Sequence, residues 1–344
     1  MKRLNRRSFW GVLLALAPGL ALHAPLFAAE KAVRINLGTL APRGSTYHQS
    51  LQAMAEKWKQ APGGARLVIY PDGTQGGETD MVRLMRVGSL HAGLLTAVGL
   101  AEIEPGVTGL QTLPMMFRNF DEFESVNDKL RPMLEKRLAE KGFVVLFWAD
   151  AGWVHYFSKE PMPTPEDMKK RKVFVWAGNA AQVDIMKRRG YNPVPLETGE
   201  ILPGLQTGLI NTVPAPPLFA LATQIDTRAP HMLDIRWAPL VGACVIKKET
   251  WEKISAGARV TMLQAAAEAG KEIRVNSRKE SDASVAAMKK RGLNVHELTA
   301  DQEARWRAAA EEIYPDIRGT IVPADIFDEV QRLLKEYRTS GGKK

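Results

Sequence analysis

The five histidines beyond the N-terminal segment are His48, His91, His155, His231 and His296. They show no His-x-x-x-His spacing. A metal site would have to draw its ligands from distant segments, and none is expected. Asp150 and His155 are near neighbours, but no nucleophile accompanies them, so a structural pair is the expectation. Gly-x-Ser-x-Gly, Walker and dinucleotide-binding patterns are absent from the sequence. The single cysteine, Cys244, sits in the apolar run Val241-Gly-Ala-Cys-Val-Ile246 and reads as a small buried residue with no disulfide partner. Neither a catalytic residue nor a cofactor is expected. The side chains that stand out are aromatic: Tyr47, Trp148, Trp153, Phe174, Trp176, Phe219 and Trp237. Phe174 and Trp176 share one strand face by the period of two.

The elements that carry these residues alternate. Val33-Arg-Ile-Asn-Leu37 reads as a strand, His48 to Gln60 as a helix, and Arg66-Leu-Val-Ile-Tyr70 as a second strand stopped by Pro71-Asp-Gly. A helix carrying Met81, Leu84 and Met85 follows, then the short strand His91-Ala-Gly-Leu-Leu95. This alternation argues for an α/β fold with helices on both faces of a sheet. Phe143-Val-Val-Leu-Phe-Trp148 and Lys172-Val-Phe-Val-Trp176 are further strands. Trp251 to Lys290 is rich in Ala, Glu and Lys and holds no proline, which predicts one or two long helices. Ala300 to Tyr314 and Ala324 to Tyr337 are predicted helices, and residues 339–344 a frayed tail.

Residues 1–28 read as a secretory signal peptide. Lys2, Arg3, Arg6 and Arg7 form a basic start, an interrupted apolar stretch follows, and Leu26-Phe27-Ala28 suits cleavage. Arg6-Arg7 leaves both the general and the twin-arginine route open. No later stretch is long and apolar enough to span a bilayer, so no stable membrane insertion is expected. The formal charge is +9, four positives of which lie in the signal. The rest are scattered in short clusters such as Lys169–Lys172, a pattern of solvated helix ends rather than of nucleic-acid binding.

Five motifs in order then resemble the extracytoplasmic solute-binding proteins of TRAP transporters, the DctP-like family. Pro71-Asp-Gly-Thr-Gln-Gly-Gly-Glu78 resembles the family's "PngqLGge" turn, Leu113-Pro-Met-Met-Phe117 its "lPflF", and Gly152-Trp-Val-His155 its "GfRh". The run from Pro161 to Val175 and the segment Glu200-Ile-Leu-Pro-Gly-Leu-Gln-Thr-Gly208 complete the set. The resemblance implies a two-lobed fold with mixed sheets, a hinge and a long bridging helix. One lobe is expected to hold residues 29–150 plus about 240–275, the other 151–239 plus about 276–338. It implies a periplasmic location, ligand capture by lobe closure, and delivery to the small and large TRAP membrane subunits.

The resemblance also places a carboxylate-clamping arginine at position 174, which here is Phe174. The arginine of "GfRh" is Val154, and the family's asparagine-bearing run becomes Ile210-Asn211-Thr212-Val213-Pro214-Ala215-Pro216-Pro217. A carboxylate desolvated without a cation is costly. The expected ligand is therefore neutral or hydrophobic, bound among Tyr47, His48, Trp148, Trp153, Phe174, Trp176, Asn211, Pro214, Phe219 and Trp237. Glu200 stays open between Gln206, backbone amides, a ligand hydroxyl and solvent. Two alternatives stand beside this reading: a lipid-like carrier or sensor outside classical uptake, and an organic-acid binder with a non-standard clamp.

Overall fold

A computed structural model describes residues 32–342; residues 1–31, which include the expected signal peptide, and residues 343–344 lie outside the described residues. The strands are β1 (Val33–Thr39), β2 (Ala65–Tyr70), β3 (Ala92–Thr96), β4 (Phe143–Trp153), β5 (His155–Ser158), β6 (Lys172–Trp176), β7 (Asn192–Leu196), β8 (Thr212–Ala215), β9 (His231–Asp234), β10 (Pro239–Lys247) and β11 (Asn294–Glu297). The helices are α1 (Thr46–Gln60), α2 (Glu78–Arg86), α3 (Ala97–Ala101), α4 (Phe120–Glu140), α5 (Pro165–Lys169), α6 (Ala180–Arg188), α7 (Ile201–Thr207), α8 (Pro217–Ala222), α9 (Lys248–Glu252), α10 (Ala256–Lys290), α11 (Ala300–Ile317) and α12 (Ala324–Thr339).

Two mixed sheets result. The first runs β2-β1-β3-β10-β4, with β1 parallel to β2 and β3, and β10 antiparallel to β3 and β4. The second runs β11-β9-β5-β8-β6-β7. Alternation decides which side chains enter each core. In β1, Ile35 and Leu37 are fully buried while Arg34 is exposed. On one face of the first sheet, α1 and α10 supply Leu51, Met54, Trp58, Met262 and Ile273. On the other, α2, α4 and α12 supply Met81, Phe123, Leu130, Phe327 and Val330. Burying these faces is the main stabilising term, about 25 cal/mol per Å2 of apolar surface.

Two of the places where the chain crosses between the sheets pair with each other. Val154 alone separates β4 from β5; its N–H donates to Ala238 O at 2.9 Å, and its carbonyl accepts from Trp237 N–H at 3.1 Å. The long helix α10 ties the sheets together. At 35 residues it spans about 52 Å at 1.5 Å per residue. Its Ala265, Ala266 and Ala269 pack on the first sheet, and its Met288 enters the core of the second. Gly270 permits that approach, because a Cβ there would meet Phe147 Cβ at 2.7 Å.

The C-terminal segments part company. Trp306 and Ala310 of α11 pack with Tyr156 and Met168 beside the second sheet. By contrast, α12 packs on α4 beside the first sheet. Ile326, Phe327, Val330, Leu333 and Leu334 form its apolar stripe there. Arg338 Nε and Nη2 donate to Glu122 Oε1 and Oε2, each at 2.8 Å. Among the described residues no helix is long and apolar enough to cross a membrane.

Candidate functional site

Two cavities lie against the crossing point. The inner chamber, about 130 Å3, takes its walls from β5, β6, α6, α11 and the Trp237 segment. Val154 and Phe174, which stand where the resemblance places arginines, line it, as does Pro214 of the run that departs from the family's asparagine-bearing segment. So do Trp176 and Trp237. Phe174 is fully buried and meets Trp176 edge-to-face, with centroids 4.9 Å apart. The outer chamber, about 120 Å3, is lined by Tyr47, Trp176, Phe219 and Leu240, with Asp150 and Glu78 at its wall.

Polar groups around the inner chamber are already engaged by protein. Arg189 Nε donates to Asp316 Oδ2 at 2.7 Å, and its Nη2 to Glu312 O at 2.9 Å. Gln111 Oε1 accepts from Val241 N–H at 2.9 Å, and Asn179 Nδ2 donates to Gln182 Oε1 at 2.8 Å. Tyr156 is not engaged in this way. It is 3% exposed, lines the chamber, and its hydroxyl bonds no group among the described residues. Burial, then the neighbouring Tyr191, pushes its phenol well above the ordinary range, so it stays protonated and able to donate.

The outer chamber has two carboxyl groups and no cationic side chain in its wall. Asp150 is 4% exposed and pairs with Arg278 Nη2 at 3.0 Å; Arg278 Nη1 in turn donates to Glu124 Oε1 at 2.7 Å. Glu78 accepts from Thr96 N–H at 2.7 Å, Thr96 Oγ1 at 2.6 Å and Gly99 N–H at 2.9 Å. Burial raises its carboxyl despite these bonds. Tyr47 Oη donates to Asp150 O at 2.7 Å, and burial pushes that phenol up. Thr198 Oγ1 is buried with no hydrogen-bond partner.

The structure thus brings Phe174, Trp176, Pro214 and Trp237 to the inner chamber and Tyr47, Trp176 and Phe219 to the outer one. The other five named residues line neither chamber. His48 is buried, and its Nδ1 accepts from Gly44 N–H at 3.2 Å, bracing the start of α1. Trp148 donates from Nε1 to Glu135 Oε1 at 2.8 Å and packs in the first core. Trp153 packs on Phe120 with centroids 5.0 Å apart. Both face inward because β4 continues to residue 153 and pairs along β10. Glu200 is exposed, and its Oε2 accepts from Glu197 N–H at 2.8 Å. Asn211 Oδ1 accepts from Lys172 N–H at 2.8 Å, joining loop to strand. The expected Asp150–His155 pair does not form: His155 Nδ1 lies 3.2 Å from Asp234 Oδ1, which holds the Asp234 carboxyl below the usual range. Cys244 is fully buried in the first core, which pushes its thiol up.

Tyr156 escaped the sequence reading although its signal was present. It lies two residues beyond Val154, on the strand that follows the crossing point. Ile313 and Ile317, which reach the chamber from α11, are far away in sequence and carry no local sign of it.

Residues 37–319 match the family model described as bacterial extracellular solute-binding protein, family 7 (DctP). The C4-dicarboxylate-binding periplasmic protein DctP of Rhodobacter capsulatus is 23% identical over 321 residues, covering 91% of this chain and 94% of that protein. Two crystal structures of TRAP periplasmic solute-binding proteins share the two-lobed fold. One, from Chromohalobacter salexigens with bound D-glucuronate, superposes with a TM-score of 0.79 at 21% identity, over 88% of this chain and 99% of that one. The other, from Sulfurospirillum deleyianum with bound succinate, gives 0.79 at 22% identity with the same coverage. The ligands named for these three proteins are acids, where the sequence reading expected an apolar molecule. Motif order, fold and family match agree, and the chain belongs to the bacterial extracellular solute-binding proteins of family 7, the DctP family.

Proposed function

We propose that this protein is the periplasmic receptor of a TRAP-type transport system, that it binds rather than transforms its ligand, and that the ligand is uncharged and largely apolar. The carrying observation is the lining of the inner chamber. Val154 and Phe174 occupy two positions where the family resemblance places guanidinium groups, Pro214 comes from the Pro/Ala run that replaces its asparagine, and the one guanidinium in the wall, Arg189, is held by Asp316. A carboxylate there would lose its hydration without gaining a fork of donors, at a cost of several kcal/mol. An apolar molecule would gain about 25 cal/mol for each Å2 it buries.

The sheets are read as lobes that close about Val154 and the Trp237–Ala238 segment, with α10 as the brace. A signal peptide in residues 1–28 would deliver the chain to the periplasm by the general or the twin-arginine route. The small and large TRAP membrane subunits would receive the ligand. A carrier or sensor of lipid-like molecules outside uptake has the same binding chemistry and differs only in lacking those subunits, which a pull-down from membranes would reveal.

A second reading, an organic-acid receptor, is favoured by the acids bound to the related structures. Thermal-shift titration separates the two. The proposed function expects uncharged apolar compounds to raise the midpoint and succinate and glucuronate to leave it unchanged. A saturable shift with either acid, and none with apolar compounds, would overturn it.

A further inference from the structure

Trp176 and Leu240 line both chambers, so the two cavities share a wall rather than standing apart. Leu240 sits where the pairing of β10 with β4 slips between Pro239 and Val241, a bulge that re-aims a side chain. It is half-buried, whereas Ala238 and Pro239 before it and Val241 after it are buried. Beyond this shared wall the inner chamber is lined largely by apolar side chains, together with the buried residue Tyr156, whose hydroxyl makes no hydrogen bond among the described residues. The Tyr156 ring is fixed between Trp237 and Trp306, with centroids 5.4 and 6.1 Å away. Its hydroxyl is therefore a positioned donor without a protein acceptor.

The geometry points to a single bipartite site for an elongated, uncharged amphiphile. A carbonyl or hydroxyl oxygen of the ligand accepts from the Tyr156 hydroxyl in the inner chamber. Its aliphatic chain passes between Trp176 and Leu240 into the outer chamber, beside Tyr47 and Phe219. This deepens the apolar reading of the same site and rests on it. It adds two specificity-determining features, a chain long enough to fill both chambers and one neutral oxygen at a fixed end. The engagement of Arg189 by Asp316 and the two carboxyl groups in the outer wall disfavour an anionic head at either end.

Isothermal titration of the purified protein with linear ketones from hexan-2-one to dodecan-2-one tests this. Affinity should rise about fourfold per added methylene and keep rising past the length that fills one chamber. Tyr156→Phe keeps the ring contacts and should weaken every ketone by a similar factor, about fivefold. Leu240→Phe narrows the shared wall and should flatten the series at the long end, so that the affinity ratio of dodecan-2-one to hexan-2-one falls at least tenfold. The wild-type series stands alone if Leu240→Phe folds poorly. A plateau at hexan-2-one or octan-2-one would overturn the joined site while leaving the apolar receptor intact. An unchanged ketone affinity in Tyr156→Phe would remove the anchor. Binding of succinate or glucuronate with no ketone binding at all would fell the apolar reading and this inference together.

Discussion

Phe174 stands where the family resemblance places a guanidinium, and its surroundings have adapted to a ring. It is sealed in the core formed by Phe157, Leu205 and Val213 and braced by Trp176. Phe174→Ala should therefore destabilise the protein by about 3–5 kcal/mol, read by urea denaturation. A loss below about 1 kcal/mol would show that the site collapses easily and that the ring is not a structural wall. Glu78 gives a second residue-scale expectation. Burial raises its carboxyl in the folded protein above the ordinary value it has when unfolded. The native state then binds more protons than the unfolded state between those two values, so this contribution is full at low pH and is lost as pH rises through the folded value. Relative to Glu78→Gln, wild type should lose stability across that interval. A stability difference independent of pH would contradict the account.

At the scale of elements, Gly77 before α2 lies against Glu197, next to Glu78 and Thr198 of the outer chamber's wall, a contact read here as the chamber's mouth. Gly77 precedes α2 with φ −69° and ψ 173°, a conformation open to any residue. A Cβ added there would nevertheless overlap the Glu197 carboxylate. Because that carboxylate ends a flexible side chain and can swing aside, Gly77→Ala should cost little, whereas Gly77→Trp should leave the fold intact and hold the mouth ajar, weakening ligand binding by about tenfold, or roughly 1.4 kcal/mol. Circular dichroism with calorimetry checks both halves, and unchanged affinity would mean that closure does not depend on this contact. The carboxyl of Glu197 is itself raised, first by partial burial and then by the neighbouring Asp80 and Glu200.

At the scale of the whole molecule, the sequence was legible wherever a local rule acted alone. The alternation in Val33–Leu37 announced β1, and the proline-free Ala, Glu and Lys stretch announced α10. Phe174 was legible because a family motif fixed its position. Trp148 and Trp153 misled because aromatic type does not tell which face of β4 is the core; pairing with β10 decides that. The return of α12 to α4, and the reach of Ile313 and Ile317 into the inner chamber, depend on contacts between segments far apart in sequence. Tyr156 needed the second sheet in place before its unpartnered hydroxyl was visible.

The central claim concerns ligand charge, and calorimetry of one protein preparation against three compounds addresses it most directly. Decan-2-one should bind with a Kd in the micromolar range or below, about −8 kcal/mol, while succinate and D-glucuronate should give no heat above dilution. Tight binding of either acid, with decan-2-one silent, would contradict the account.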